Sequence, residues 1–242
     1  MNTDPKYEVK CEKIHVSNGN HKLGKIHNIN LLPGDEPITL KDGTLLTTVG
    51  GTCDGVCDGC KNYCYAMRDT KLHHNVIIQS SGENTRLCRE NPDEYFKQIE
   101  DYLKHHKVKI FRFHSSGEIP NIDYFIRMNK IAVKFPDIHF YCYTKRFQIL
   151  ENFKQIYGSV ANNLVVNCSE WNGNTASYDL EGLNFFVWDD GNDQEIAKLK
   201  HCPAVSKPAK PGGKGRPTGV NCVNCGLCWK KNDGHRIAVY NH

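Results

Sequence analysis

The chain has 242 residues, 39% of them hydrophobic and 24% charged, and carries a formal net charge of +4. That length buries a proper core in one large or two small domains, and the composition excludes a disordered or fibrous chain. The mild basicity permits contact with nucleic acid without demanding it, the opening MNTDPKYEVK lacks the apolar stretch of a signal peptide, and no apolar run reaches a membrane span, so a cytoplasmic protein with no membrane partner is expected.

Residues 1–43 read as a polar, irregular N-terminal arm packed on the outside of the domain, with a turn at Asn18-Gly19-Asn20. A short strand over 26–32 is ended by Pro33-Gly34. Residues 44–49 (TLLTTV) are rich in β-branched side chains and bounded by glycines, which predicts a strand. The loop TCDGVCDGCKNYCYA follows over 52–66, with a helix over 62–73. Its cysteines thus sit at the C-terminal end of a strand, the edge that ligand sites favour in α/β folds.

Asn91-Pro92-Asp93-Glu94 opens a helix: Asn caps, Pro takes the first helical position, and two acids face the positive end of the dipole. Tyr95, Phe96, Ile99, Tyr102 and Leu103 continue it at helical spacing. Strands are predicted over 108–113, 138–143, 164–166 and 185–188, and helices over 120–135, 147–157 and 193–200. The strand–helix alternation across 44–200 implies a parallel sheet, open or curled into a barrel. Residues 207–219 (KPAKPGGKGRPTG) form a loop within a C-terminal cysteine-rich segment, 201–242. Lys207, Lys210, Lys214 and Arg216 make that loop either a solvated surface or a contact for nucleic acid or phosphate.

Eight of the 12 cysteines fall into two groups, Cys53, Cys57, Cys60 and Cys64, and Cys202, Cys222, Cys225 and Cys228. Clustering at ligand spacing, in a chain long enough to need no staples, argues for a reducing compartment and against disulfides. Four thiols within 12 residues suit a metal or an iron–sulfur cluster. Two triads are open: Cys53-x3-Cys57-x2-Cys60, with the spacing found in radical S-adenosylmethionine enzymes, and Cys53-x6-Cys60-x3-Cys64. One tetrahedral zinc is the alternative, although four zinc ligands on so short a loop are cramped. Cys222-x2-Cys225-x2-Cys228 matches the first three cysteines of the bacterial ferredoxin run, with Cys202 as a fourth ligand and His235 or His242 as substitutes for it. A second, fully ligated 4Fe–4S cluster or a four-cysteine zinc site fits there.

Thr52-Cys53, Cys60, Cys64-Tyr65-Ala66, the turn Arg112-Phe113-His114-Ser115-Ser116-Gly117-Glu118, Tyr143-Thr144-Lys145 and the run from Cys222 to Trp229 together resemble the phage-encoded gene product 88 family. That family is similar to radical S-adenosylmethionine proteins. The pieces are spread over about 44–242. Cys57 and Glu118 depart from the family pattern, and Glu118 brings the turn closer to the GGE motif of radical enzymes.

The resemblance implies a partial (β/α) barrel of radical S-adenosylmethionine type and reductive cleavage of S-adenosylmethionine at a 4Fe–4S cluster, acting on an unknown substrate. It implies cluster ligation by Cys53, Cys60 and Cys64 or Cys57. Ser116, Gly117 and Glu118 would receive the methionine ammonium, and Tyr65, His114, Thr144 and Lys145 would line the same cofactor site. An electron donor such as flavodoxin or ferredoxin is implied as partner. Each of these residues also has a structural reading: Glu118 in an ordinary β–α turn, His114 as a core histidine, Thr144 as a helix cap. The alternative reading of the whole chain is a non-catalytic iron–sulfur or zinc-stabilised nucleic-acid-binding phage protein.

Overall fold

The computed structural model describes residues 4–20, 22–55, 60, 64–171, 173–210 and 213–240. In chain order its elements are β1 (Val16–Ser17), β2 (His27–Ile29), β3 (Ile38–Thr39), β4 (Leu45–Thr47), α1 (Tyr65–Leu72), α2 (His74–Glu90), α3 (Pro92–His105) and β5 (Ile110–Phe113). There follow α4 (Ile122–Lys134), β6 (His139–Thr144), α5 (Phe147–Tyr157), β7 (Leu164–Glu170), β8 (Asn184–Asp189), α6 (Gln194–Ala197), β9 (Lys200–His201), α7 (Cys222–Cys225) and β10 (Arg236–Tyr240). Eight strands hydrogen-bond in the order β1-β2-β5-β6-β7-β8-β10-β9. The pairs β6–β7, β7–β8, β8–β10 and β10–β9 are parallel, while β1–β2 is antiparallel. The fold is therefore mixed α/β with a mostly parallel sheet. Among the described residues no pairing of β1 with β9 closes it into a barrel. No helix of the described residues is long and apolar enough to cross a membrane.

The sequence reading needs correction at several elements. The strand before the cysteine loop, β4, does not join the large sheet. It pairs with β3 in a separate antiparallel ribbon. The N-terminal arm is not an outer layer: Val9, Leu31, Leu32 and Ile38 are buried, and Val9, Leu32, Ile38, Leu46 and Ile78 form one apolar cluster. Its apolar residues are too sparse to show a period, yet Val9, Leu23, Ile26, Ile29, Leu31, Leu32 and Ile38 are all buried. The strand read over 164–166 continues to Glu170, buried along its whole length, because polar Asn167 and Ser169 are carried inside.

Chain contacts divide the protein into two compact units. The first comprises Met1–Ser17, Asn28–Val108 and Phe113–Ile131. It contains a 17-residue helix, α2, that apolar periodicity does not reveal. The reason is chemical: besides Ile78, Leu87 and Cys88, its buried residues include Ser81, Glu83, Asn84 and Thr85. Asn84 and Thr85 among them serve as hydrogen-bond partners for irregular backbone. Asn84 accepts from the His15 N–H at 2.7 Å and donates to the carbonyls of His15 (3.0 Å) and Asn30 (2.9 Å). Thr85 Oγ1 accepts from the Leu32 N–H at 2.8 Å and donates to Ser81 O at 2.7 Å. Glu83 receives His15 Nε2 at 2.7 Å. Helix α3 begins as the sequence predicts, Asn91 Oδ1 accepting from the Glu94 N–H at 3.1 Å.

The second unit comprises Asn18–His27, Lys109–Arg112 and Ala132–His242. It is built on β6, β7, β8 and β10, with α5 spanning the residues read as helix from the sequence. The turn into β7 is locked by Asn163, whose Nδ2 donates to the carbonyls of Ala132, Phe135 and Ile138 at 2.9, 3.0 and 2.8 Å. The helix read over 193–200 is a single turn, Gln194–Ala197, capped by Asp193.

If the polar face of α2 organises the first unit, Asn84→Ala strands two carbonyls and one N–H and should lower the unfolding free energy by about 2–4 kcal/mol. Urea denaturation measures this, and a loss below about 0.5 kcal/mol contradicts it.

Candidate metal centres

The first cysteine group lies in the first unit, fastened to the chain that leaves β2. Thr52 N–H donates to Leu32 O at 3.0 Å and Cys53 N–H to Gly34 O at 2.8 Å. Gly51 makes this approach possible: a Cβ there would stand 2.1 Å from Pro33 O and 2.2 Å from Gly34 O. Arg89 of α2 clamps the segment from the other side, donating to the carbonyls of Gly50 (2.7 Å) and Gly51 (2.6 Å). Cys64 is the N-cap of α1, its Sγ accepting from the Met67 N–H at 3.4 Å. Cys57 lies outside the described residues.

The H-S-S-G-E turn is held by the same exit of β2. Leu31 N–H donates to Ser116 O at 3.0 Å, Ser116 Oγ to Leu31 O at 3.1 Å, and Ser115 N–H to Asn30 Oδ1 at 2.7 Å. Gly117 has φ +80°, and a Cβ there would meet Leu31 Cβ at 2.6 Å. Its glycine is thus required by contact with the chain itself, a constraint the sequence does not separate from contact with a ligand.

Two bonds join this turn to the cysteine loop. The Glu118 N–H donates to Thr52 Oγ1 at 2.8 Å, and the Tyr65 hydroxyl donates to Ser115 O. Motifs far apart in sequence therefore clasp each other at both ends.

Electrostatics carry the same message. The Cys53 thiol is pushed up to about 12 by burial, by the Glu118 carboxylate and by the neighbouring Cys64 and Cys60. Among the described residues the charged neighbours that shift Cys53 are anionic, a field that favours bound cations. Glu118 is buried, and its Oε1 accepts from the Ile119 N–H at 2.8 Å. His114 is buried at the start of the turn with φ 62°, in the left-handed region. Its Nε2 meets the Tyr124 hydroxyl at 2.8 Å, and Tyr124 meets the Tyr95 hydroxyl at 3.0 Å, a buried polar chain.

The second cysteine group lies in the second unit. Burial raises Cys202 and Cys222 and takes Cys228 to about 12; Cys225 acts on Cys202, Cys202 and Cys225 act on Cys222, and Cys202, Cys222 and Cys225 act on Cys228. The four thiols are thus linked electrostatically. Here cations are present: Lys22 acts on Cys202 and Cys222, and Arg112 on Cys222. The Arg112 guanidinium also lies 4.8 Å from the Tyr143 ring centre, and the Tyr143 hydroxyl hydrogen-bonds the Cys228 thiol. Backbone ties fix the loop. Cys222 N–H donates to Lys22 O at 3.0 Å, Trp229 Nε1 to Cys222 O at 2.9 Å, and Asn167 Nδ2 to Cys228 O at 3.0 Å. Gly226 ends α7 in the left-handed conformation at φ 72°. His235 pairs with Asp233, and His242 lies outside the described residues.

Thr144 and Lys145 belong to the second unit, whereas Glu118 and the first cysteine group belong to the first. Thr144 is buried, and its Oγ1 accepts from the Arg146 N–H at 2.9 Å. The Lys145 ammonium lies 6.0 Å from the Trp171 ring centre. Cys88 and Cys168 are buried thiols that burial pushes up to about 12. Among the described residues no group of three or more His, Cys, Asp or Glu side chains is poised to hold a metal ion.

A family model described as gene product 88 matches residues 14–231. The chain belongs to the gene product 88 family. The gene product 88 match takes in both cysteine groups and the turn at Glu118. No curated protein and no solved structure matches the chain.

Sequence reasoning missed Asn30 to Gly34, Asn84, Arg89, Lys22 and Arg112. The Gly50-Gly51 doublet beside the first cysteine was the one available signal, since paired glycines mark close backbone approach.

Thr52→Val keeps the shape but removes the acceptor for the Glu118 N–H, and should cost about 1–3 kcal/mol, while Thr52→Ser keeps the bond and should cost under about 1 kcal/mol. Equal losses in chemical denaturation would contradict the assigned role of the hydroxyl.

Proposed function

We propose that this gene product 88 protein is a radical S-adenosylmethionine-like iron–sulfur enzyme with an unassigned substrate. The observation that carries the reading is the clasp of the cysteine loop against the turn at Glu118, through Thr52 and Tyr65. The donor set of the first group suits a cluster: soft, half-buried thiols with anionic neighbours, Cys60 and Cys64 both within electrostatic reach of Cys53. Cys53, Cys60 and either Cys64 or Cys57 would hold a 4Fe–4S cluster. When bound, such a cluster supplies the electron for reductive cleavage of the C–S bond of S-adenosylmethionine.

The chain's own residues have definite tasks in this reading. Thr52 and Gly51 hold Cys53 at the exit of β2. Glu118, its backbone pinned by Thr52, offers a carboxylate to the methionine ammonium beside the thiols. Gly117 and Ser116 keep the turn close to Leu31, and His114 is a positioning residue through Tyr124. Metal loading must displace the proton that burial holds on Cys53, so uptake is favoured at higher pH. The sequential strand order β5-β6-β7-β8 is consistent with a singly wound β/α core.

The second group reads as an auxiliary site. Its four electrostatically linked thiols, once drawn together, would saturate a 4Fe–4S cluster, leaving its role structural or electron-carrying, with zinc as the alternative metal. A flavodoxin- or ferredoxin-type donor would supply electrons.

The test uses anaerobically purified, reduced protein. Adding S-adenosylmethionine should change the cluster's electron paramagnetic resonance spectrum and yield 5′-deoxyadenosine. Glu118→Gln should need at least about tenfold more S-adenosylmethionine for the same change, because a charge-assisted bond becomes a neutral one. A wild-type spectrum unmoved by S-adenosylmethionine contradicts the reading.

A further inference from the structure

The chain's net positive charge is concentrated in one segment. Between Lys198 and Lys231 there are eight Lys or Arg residues and no Asp or Glu, so the remainder of the chain carries 23 cationic residues against 27 anionic ones. The mild basicity of the whole protein therefore hides an anionic body and a strongly cationic C-terminal segment.

The structure gives the middle of that segment a shape. Val205 and Pro217 form an antiparallel bridge. Ser206 N–H donates to Arg216 O at 2.9 Å, Arg216 N–H to Ser206 Oγ at 3.1 Å, and Thr218 N–H to Ala204 O at 3.2 Å. Gly215 lets the arms close, since a Cβ there would stand 2.2 Å from Ser206 O. Ala204 and Val205 are buried and root the hairpin. Its two arms leave the protein between Cys202 and Cys222, so the second thiol group ties its base.

Lys207, Lys210, Lys214 and Arg216 are all exposed. None of the four side chains pairs with a carboxylate among the described residues, whereas elsewhere surface cations such as Lys97, Lys104, Arg127 and Lys154 are paired. Leaving four neighbouring cations unneutralised raises the local potential and invites a polyanion.

We infer that this hairpin is a nucleic-acid interface that binds the phosphodiester backbone. It carries cations on both arms and toward its tip, as contact with a row of phosphates requires. From Lys207 to Gly219 it has no aromatic or large aliphatic side chain to enter a lipid bilayer or an apolar protein groove. The contact reads charge, not sequence, because phosphate contacts position a protein without specifying bases. It stands apart from the enzymatic reading, and its test measures binding alone.

The experiment is fluorescence anisotropy of labelled single- and double-stranded oligonucleotides with the full chain over a salt series. The probes for comparison are poly-glutamate and phosphatidylserine vesicles. Wild-type protein should bind the oligonucleotides, with an affinity that falls steeply as salt rises. The quadruple variant Lys207→Glu, Lys210→Glu, Lys214→Glu, Arg216→Glu should bind at least about tenfold more weakly, and its log–log salt slope should shrink by about three to four, one unit per lost phosphate contact. A control variant with Lys10, Lys41, Lys71 and Lys130 changed to Glu makes the same net charge change on exposed lysines outside the segment, and should stay within about threefold of wild type. Circular dichroism checks that both variants fold. The inference is overturned by absence of wild-type binding at low salt, by an equal loss in the control variant, or by vesicles or poly-glutamate binding as tightly as DNA.

Discussion

The first unit depends on a helix that buries polar side chains to satisfy backbone. Irregular chain leaving β2 would carry unpaired amides and carbonyls into the interior, each costing about 1–3 kcal/mol if unmet. Helix α2 supplies the partners: Asn84 for Asn30, Thr85 for Leu32, Arg89 for Gly50 and Gly51. With those groups met, the strand exit becomes a fixed spine. The cysteine loop lies along one part of it, through Thr52 and Cys53, and the turn at Glu118 along another, through Leu31. The proposed centre inherits its geometry from this spine, which holds the two loops together, with the start of α1 at Cys64 and Tyr65 closing the clasp.

The two cysteine groups differ in their surroundings. Around Cys53 the charged groups that matter are Glu118 and other thiols, so the pocket gains by taking up positive charge. Around Cys202 and Cys222 stand Lys22 and Arg112, which favour thiolates and offset the charge of a fully ligated centre. That contrast matches the proposed division of labour. Among the described residues the first site is ringed by anionic groups, which suits a cluster with room for a charged cofactor, and a site with built-in counterions suits a closed one.

Elements with an amphipathic signature were legible in the sequence. Helix α5 spans Phe147–Tyr157 as its apolar spacing implies, and α3 starts at the Asn91-Pro92 signal. Elements that bury polar groups were not. Helix α2 lacks a clear apolar stripe because three of its eight buried residues, Glu83, Asn84 and Thr85, bond to loops, and β7 carries Asn167 inward to hold Cys142 O and Cys228 O. Strand β10 lies between β8 and β9, a placement set by pairing partners that no local pattern encodes. Of the candidate site, the residue types and their spacing were readable. The clasp between Thr52 and Glu118 was not, since it spans two loops that meet only through the exit of β2.

The central claim is that both cysteine groups hold iron and sulfide. Anaerobic analysis of purified protein for iron, acid-labile sulfide and zinc tests it most directly. Two cubane clusters correspond to about eight irons per chain with matching sulfide, the result this account predicts. About two zincs per chain and no sulfide would contradict it and leave a zinc-stapled protein in which the same thiols only fasten loops.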